Sequence, residues 1–144
     1  MMLRRLFQAA LVLSLLVAAG ASAADGPSRS QRAKLVPTQA AYTAAVRWSD
    51  FEAAEGFLDP VYLQAHPLGD LQRQRYQQVQ VSGYRERGSS VAADGNVERR
   101  MEISVINRNT QAERTVVVTE RWRWDAEGKR WWQAGGLPDL WQGQ

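Results

Sequence analysis

Apolar residues that recur at every second position dominate the second half of this chain. Val97, Met101, Ile103 and Val105 share one parity, and Val116, Val118, Trp122 and Trp124 share another. A period of two marks strands with one buried face, because successive side chains point to opposite sides. Asp94-Gly95 is a hairpin signal before the first run. Arg108-Asn109-Thr110-Gln111 and Asp125-Ala126-Glu127-Gly128 are turns that bound the second. Lys129 to Ala134 makes the last strand, and Gly135-Gly136-Leu137-Pro138 ends the sheet. Upstream, Val79 and Val81 alternate with glutamines, and Tyr84 falls on the opposite parity beyond Ser82-Gly83. A glycine where the alternation changes phase predicts a β-bulge. These runs predict an antiparallel meander of about four long strands.

The first half changes period. Ala41, Ala44, Ala45, Trp48, Phe51 and Leu58, widened by Tyr42 and Val46, recur at helical spacing. They predict one amphipathic helix over Gln39 to Leu58, capped by Thr38 and ended at Gly56. Asp59-Pro60 starts a short second helix with Val61, Tyr62 and Ala65 on its buried side, broken at Pro67 and Gly69. Asp70 caps another short helix through Gln78, or this stretch is coil. Asp25 to Pro37 is polar and punctuated by Gly26, Pro27 and Pro37, which predicts a flexible leader. Helices first and strands after give an α+β fold, with the N-terminal helices packed on one face of a strongly bent sheet.

Arg4 and Arg5, an apolar run from Leu6 to Ala19 and the small residues Gly20-Ala21-Ser22-Ala23-Ala24 have the form of a secretory signal cleaved after Ala23. The expected organisation is a signal peptide over 1–23, a leader over 24–37 and a single domain over 38–144. The expected location is the periplasm or the extracellular medium, with no membrane attachment after cleavage. Losing Arg4 and Arg5 leaves 16 basic residues of 18 against 15 acidic. That near-neutral balance argues against a nucleic-acid partner. With no cysteine in the chain, disulfides, thiol catalysis and cysteine metal sites are excluded. The single histidine, His66, has no second ligand at a helical or hairpin spacing, so no metal or cofactor is expected.

Ala45-Val46-Arg47-Trp48-Ser49-Asp50-Phe51-Glu52-Ala53-Ala54, continuing to Phe57-Leu58-Asp59-Pro60, resembles the opening helix of NTF2-like (nuclear transport factor 2-like) domains. The strands ending in Arg121-Trp122-Arg123-Trp124 and Lys129-Arg130-Trp131-Trp132 are similar to that superfamily as well. The resemblance spans roughly residues 38 to 137. It implies a curved sheet wrapped around a helix, with a cone-shaped cavity. Ketosteroid isomerase-like and polyketide cyclase-like enzymes share that fold with non-catalytic binding and adaptor domains, so fold alone leaves function open.

Three groups of residues carry the chemistry. The first breaks the local pattern: Glu55 falls on the helical stripe, Arg99 and Glu120 fall on the inward parity of their strands, and register can pair Arg99 with Glu120. A buried charge must be paired or neutralised. An isomerase-type mechanism needs an inward carboxylate base and a tyrosine donor, for which Tyr42, Tyr62, Tyr76 and Tyr84 are the candidates. Glu55, His66 and Glu120 are the base candidates it leaves, while Asp50 lies off the stripe. The second group, Trp48, Tyr84, Arg99 and Trp122, is expected to line a ligand cavity. The third, Arg121, Arg123 and Trp132, is expected on the outer sheet face as an interface. A four-residue last turn pairs Trp124 with Lys129 and Trp122 with Trp131, leaving Trp132 outside. A three-residue turn exchanges Trp131 and Trp132. Exposed pairs are expected between Arg87 and Glu102 and between Glu98 and Arg121. No nucleophile elbow or phosphate loop is present. The expected function is exported, non-catalytic binding of a small apolar ligand or a protein partner, or homodimerisation through the sheet. The alternatives are a cavity enzyme of the isomerase or cyclase type and a docking subunit of an envelope complex.

Overall fold

The computed structural model describes residues 25–143. The expected signal peptide lies outside the described residues. Among the described residues four helices precede four strands: α1 (Arg29–Arg47), α2 (Phe51–Glu55), α3 (Pro60–Ala65), α4 (Asp70–Gln77), β1 (Val79–Val91), β2 (Val97–Asn107), β3 (Glu113–Asp125) and β4 (Arg130–Gln133). The strands form one open antiparallel meander in the order β1-β2-β3-β4. The fold class is therefore α+β.

α1 begins well before the expected start. Ser28 and Gln31 form a reciprocal capping box, with Gln31 N–H donating to Ser28 Oγ at 3.2 Å and Ser28 N–H to Gln31 Oε1 at 2.9 Å. Residues 29–37, expected as flexible leader, are thus helical. Pro37 lies inside α1 on an exposed position, where the carbonyl it cannot bond faces water. The expected helix to Leu58 is interrupted instead at Ser49, whose φ is 60°. Ser49 Oγ accepts from Val81 N–H at 2.8 Å, and Asp50 caps α2 through Ala53 N–H at 3.0 Å.

The buried line of α1 is Leu35, Tyr42 and Val46. At about 100° per residue, Trp48 falls on the opposite side of the helix from that line. It is 80% exposed, so Trp48 does not line a cavity, and that expectation is corrected.

The inner face of the sheet meets this line with Val79, Val81, Tyr84, Val97, Met101, Ile103, Val105, Val116, Val118, Trp122 and Trp131. A bulge between Val81 and Gly83 turns Tyr84 inward, as the phase change predicts. A second bulge between Glu86 and Gly88 has no such warning. It sets Arg85 rather than Arg87 opposite Glu102, yet Arg87 Nε still donates to Glu102 at 2.8 Å. Glu98 faces Arg121 as expected.

The β3–β4 turn has four residues, Ala126 to Lys129, one position further on than expected, which moves each partner in β4 on by two. Trp122 faces Gln133 and Trp124 faces Trp131. A shift of two preserves parity, so Trp131 stays inside and Trp132 outside.

The stretch before α3 runs beside β4. Gln133 N–H donates to the Phe57 carbonyl and Asp59 N–H to the Gln133 carbonyl, at 2.8 and 2.9 Å. Beyond β4 the chain folds back as a C-terminal segment. It is pinned by Tyr76 Oη on the Pro138 carbonyl at 2.8 Å, by Arg114 on the Leu140 carbonyl and by the fully buried Leu140. No described helix is long and apolar enough to cross a membrane.

Candidate functional site

Glu120 projects from β3 onto the inner face, directly opposite Arg99 of β2. Its Oε2 accepts from Arg99 Nε at 2.9 Å and from Trp122 Nε1 at 3.1 Å, while its Oε1 accepts from Tyr84 Oη. Arg99 Nη2 lies 2.7 Å from Glu120 and donates to Thr43 Oγ1 of α1 at 2.9 Å. The cluster therefore joins three strands to α1, and both charges are nearly inaccessible, at 9% and 3% of their side-chain surface. Burial holds the Glu120 carboxyl above its ordinary range, opposed by the hydrogen bond from the Trp122 indole. Burial likewise lowers Arg99 from the ordinary arginine value. The pattern-breaking pair expected from sequence is thus formed and fully partnered.

Tyr42 continues this polar core. Its ring sits edge-on to Trp122 at 5.4 Å and to Phe57 at 5.8 Å, and its hydroxyl accepts from Gln133 Nε2 at 3.3 Å. Burial, then the charge on Glu120, push its phenol far up.

Behind Glu120 and Gln133 opens a cavity of 630 Å³. Tyr62 of α3 and Leu71, Gln72, Arg75 and Tyr76 of α4 form one side. Val118 to Glu120 form the sheet side, and the C-terminal segment from Gly135 to Gln142 the third. The volume is in the range of small-ligand sites. Its lining mixes aromatic and polar groups and is less apolar than expected. Arg75 stands at the rim with its guanidinium 4.1 Å from the Trp141 ring centre. Tyr76 packs between Phe51 and Trp141, with ring centres 4.7 Å from each.

Of the residues expected at a ligand site, Glu120 alone lines this cavity. Tyr84, Arg99 and Trp122 stand behind it as its hydrogen-bond partners. Glu55 is elsewhere: it takes Arg73 Nε at 3.0 Å and borders a separate hollow of 490 Å³ beside Ser49 and Asp50. His66 is exposed at the end of α3, stacked on Tyr62 at 4.5 Å, with Nδ1 3.3 Å from the Tyr62 carbonyl oxygen. The three base candidates do not converge. Of the candidate tyrosine donors, Tyr62 and Tyr76 line the cavity, while sequence reasoning missed Arg75, Gln133 and Trp141. The one further signal is that Tyr76 and Leu71 are the apolar residues of an otherwise polar helix.

The outer-face residues are already partnered within the chain. Arg121 Nη2 reaches Glu98 at 3.3 Å. Arg123 grips Asp59 with Nε and Nη2 at 2.6 and 2.9 Å. Trp132 lies under Arg130 at 3.5 Å and donates to Asp125 at 3.2 Å. Donation from Arg123 holds the Asp59 carboxyl below its usual range. Among the described residues no group of three His, Cys, Asp or Glu side chains is placed to hold a metal ion. Comparison of the chain with protein-family models, with curated proteins and with solved structures finds no match.

Proposed function

We propose that this chain is an exported, NTF2-like binding domain that takes a small ligand in the cavity behind Glu120 and does not transform it. The observation that carries the reading is the cavity itself: 630 Å³ between the inner sheet face, α3, α4 and the C-terminal segment. The buried Arg99–Glu120 pair braces its sheet wall. A rigid wall with a few placed polar groups is what a recognition site needs. The catalytic alternative has less support. Both oxygens of Glu120 are held by donors, and Glu55 and His66 do not line the cavity. Docking through the outer sheet also has less support, because Arg121, Arg123 and Trp132 each already hold a partner inside the chain.

Native mass spectrometry of the chain purified from its source tests the reading. A co-purified small molecule, lost on Tyr76→Ala, is the expected result. An empty protein whose tryptophan emission ignores a panel of small ligands refutes the binding role. The mature N-terminus read in the same experiment tests export, for which cleavage after Ala23 is the expected result.

A further inference from the structure

The edge of β3 runs on past the end of β4. Ala134 N–H donates to the Arg121 carbonyl at 2.7 Å, the last bond of that ladder. In an antiparallel ladder, alternate residues aim their N–H and C=O at the same neighbour. Arg121 aims at β4, so Thr119 and Val117 aim the same way, beyond the last bond of that ladder. A continued strand would bring Gly135 and Gly136 to them. The Gln133 amide intervenes: Oε1 accepts from Gly135 N–H at 2.5 Å, and Nε2 donates to the Gly136 carbonyl at 2.6 Å. This side chain takes the place of β3, Gly136 turns away at φ 77°, and the ladder stops. Among the described residues, the outward N–H and C=O of Thr119 and Val117 have no partner. Thr119 borders the cavity; Gly135 still lies beside its carbonyl, and the C-terminal segment leaves this edge only beyond that glycine.

Two further features bear on what could fill the gap. Val117 is 42% exposed on the outer face, while Val118 borders the cavity on the inner one. A strand laid on this edge would therefore meet an apolar neighbour outside and a pocket inside, alternately. At the rim, the Arg75 guanidinium has no carboxylate among the described residues, and Trp141 holds its plane. An arginine so held presents a fork that suits a carboxylate. Asp139, also on the rim, has one oxygen occupied by Trp141 N–H at 3.0 Å and would repel a second acidic group.

We infer that the cavity binds a short extended peptide with a single carboxylate. The peptide adds to the bare edge of β3 at Val117–Thr119, sends alternate side chains into the cavity and sets its carboxylate on Arg75. Main-chain bonds supply affinity and the alternate pocket supplies selectivity, as in other strand-addition sites. This rests on the cavity being the binding site proposed above.

The test uses the full chain and a synthetic, end-blocked peptide of alternating valine and threonine with one glutamate. Binding is followed by hydrogen exchange at the Val117 and Thr119 amides. Both amides are expected to slow when the peptide is added. Glutamine in place of the glutamate, or Arg75→Gln in the protein, is expected to weaken binding about tenfold. A peptide N-methylated on its edge-facing amides is expected not to bind. Unchanged exchange at both amides overturns the inference, as does full affinity of Arg75→Gln for the glutamate peptide. If both amides are already slow without peptide and the chain has the mass of a dimer, a second copy holds the edge and the inference fails. Anilinonaphthalene sulfonate separates this from the parent reading. If it enters the cavity while peptides do not, the peptide is overturned and the cavity stands. If neither enters, both fall.

Discussion

Replacing Arg99 with Met leaves Glu120 buried with its strongest partner gone. The loss has three parts: the 2.9 Å bond from Nε, the 2.7 Å contact from Nη2 and the 2.9 Å bond to Thr43. Breaking one side of a buried ion pair costs about 3–5 kcal/mol. For a domain of this size that is a fall of about 12–20 °C in Tm, at roughly 4 °C per kcal/mol. The cost depends on pH. Burial holds the folded-state Glu120 carboxyl above its unfolded value of 4.5. A carboxyl raised in this way contributes fully below its unfolded pKa, and that contribution is lost as pH rises towards the folded one. Arg99→Met should therefore lose stability between pH 5 and pH 8, by at most about 1.4 kcal/mol per pH unit. Urea denaturation followed by circular dichroism at the two pH values measures this. The double variant Arg99→Met, Glu120→Met removes the orphaned charge and should recover most of the loss. The reasoning is refuted if the single variant costs under about 1 kcal/mol at pH 8, or if it is less stable at pH 5 than at pH 8.

Four further outcomes are expected. Ser28→Ala removes the α1 cap and should cost about 1 kcal/mol in urea denaturation, while a leader without helix would show no loss. Gly136→Ala places a Cβ at positive φ and 2.6 Å from Tyr62 Cζ; it should cost about 1–3 kcal/mol, with part regained in Tyr62→Ala. Asp59 has its folded pKa lowered, chiefly by Arg123, so its stabilisation is present above its unfolded value of 3.8 and is lost as pH falls. Asp59→Asn should accordingly flatten the acid limb of the Tm profile below about pH 4. Trp132→Ala removes an outer stacking partner of Arg130 and should leave the mass in solution unchanged by light scattering, at a cost of about 1 kcal/mol or less.

The parity of the strands was legible from residues alone, and so was the pairing of Arg99 with Glu120, because charges on an apolar parity demand partners. The tryptophan hairpin shows where legibility stops. Alternation puts one of Trp131 and Trp132 inside, but which one, and the register, depend on which residues enter the turn, and Lys129 does so at φ 51°. The break in the first helix was hidden for a similar reason. Ser49 in the left-handed region carries no compositional mark, and its hydroxyl is committed to Val81, a residue distant in sequence. Pro37 misled in the other direction, since a proline on the wet side of a helix is tolerated. Of the cavity little more than Glu120 and two tyrosines was legible: its third wall is the C-terminal segment, and its rim pairs Arg75 with Trp141 across the fold.

The tie between Trp131 Nε1 and the Gln31 carbonyl, at 2.8 Å, spans a sequence separation of 100 residues. It makes the first described helix wait for the last described strand. The β-hairpins can close locally, but α1 reaches its seat on Trp122 and Trp131 only after nearly the whole chain exists. Closing so long a loop is slow relative to forming the hairpins. The nascent chain therefore carries the apolar line of Leu35, Tyr42 and Val46 uncovered until synthesis is almost complete. Shortening the chain before Trp131 should then abolish the folded state as a whole, and not merely fray one end.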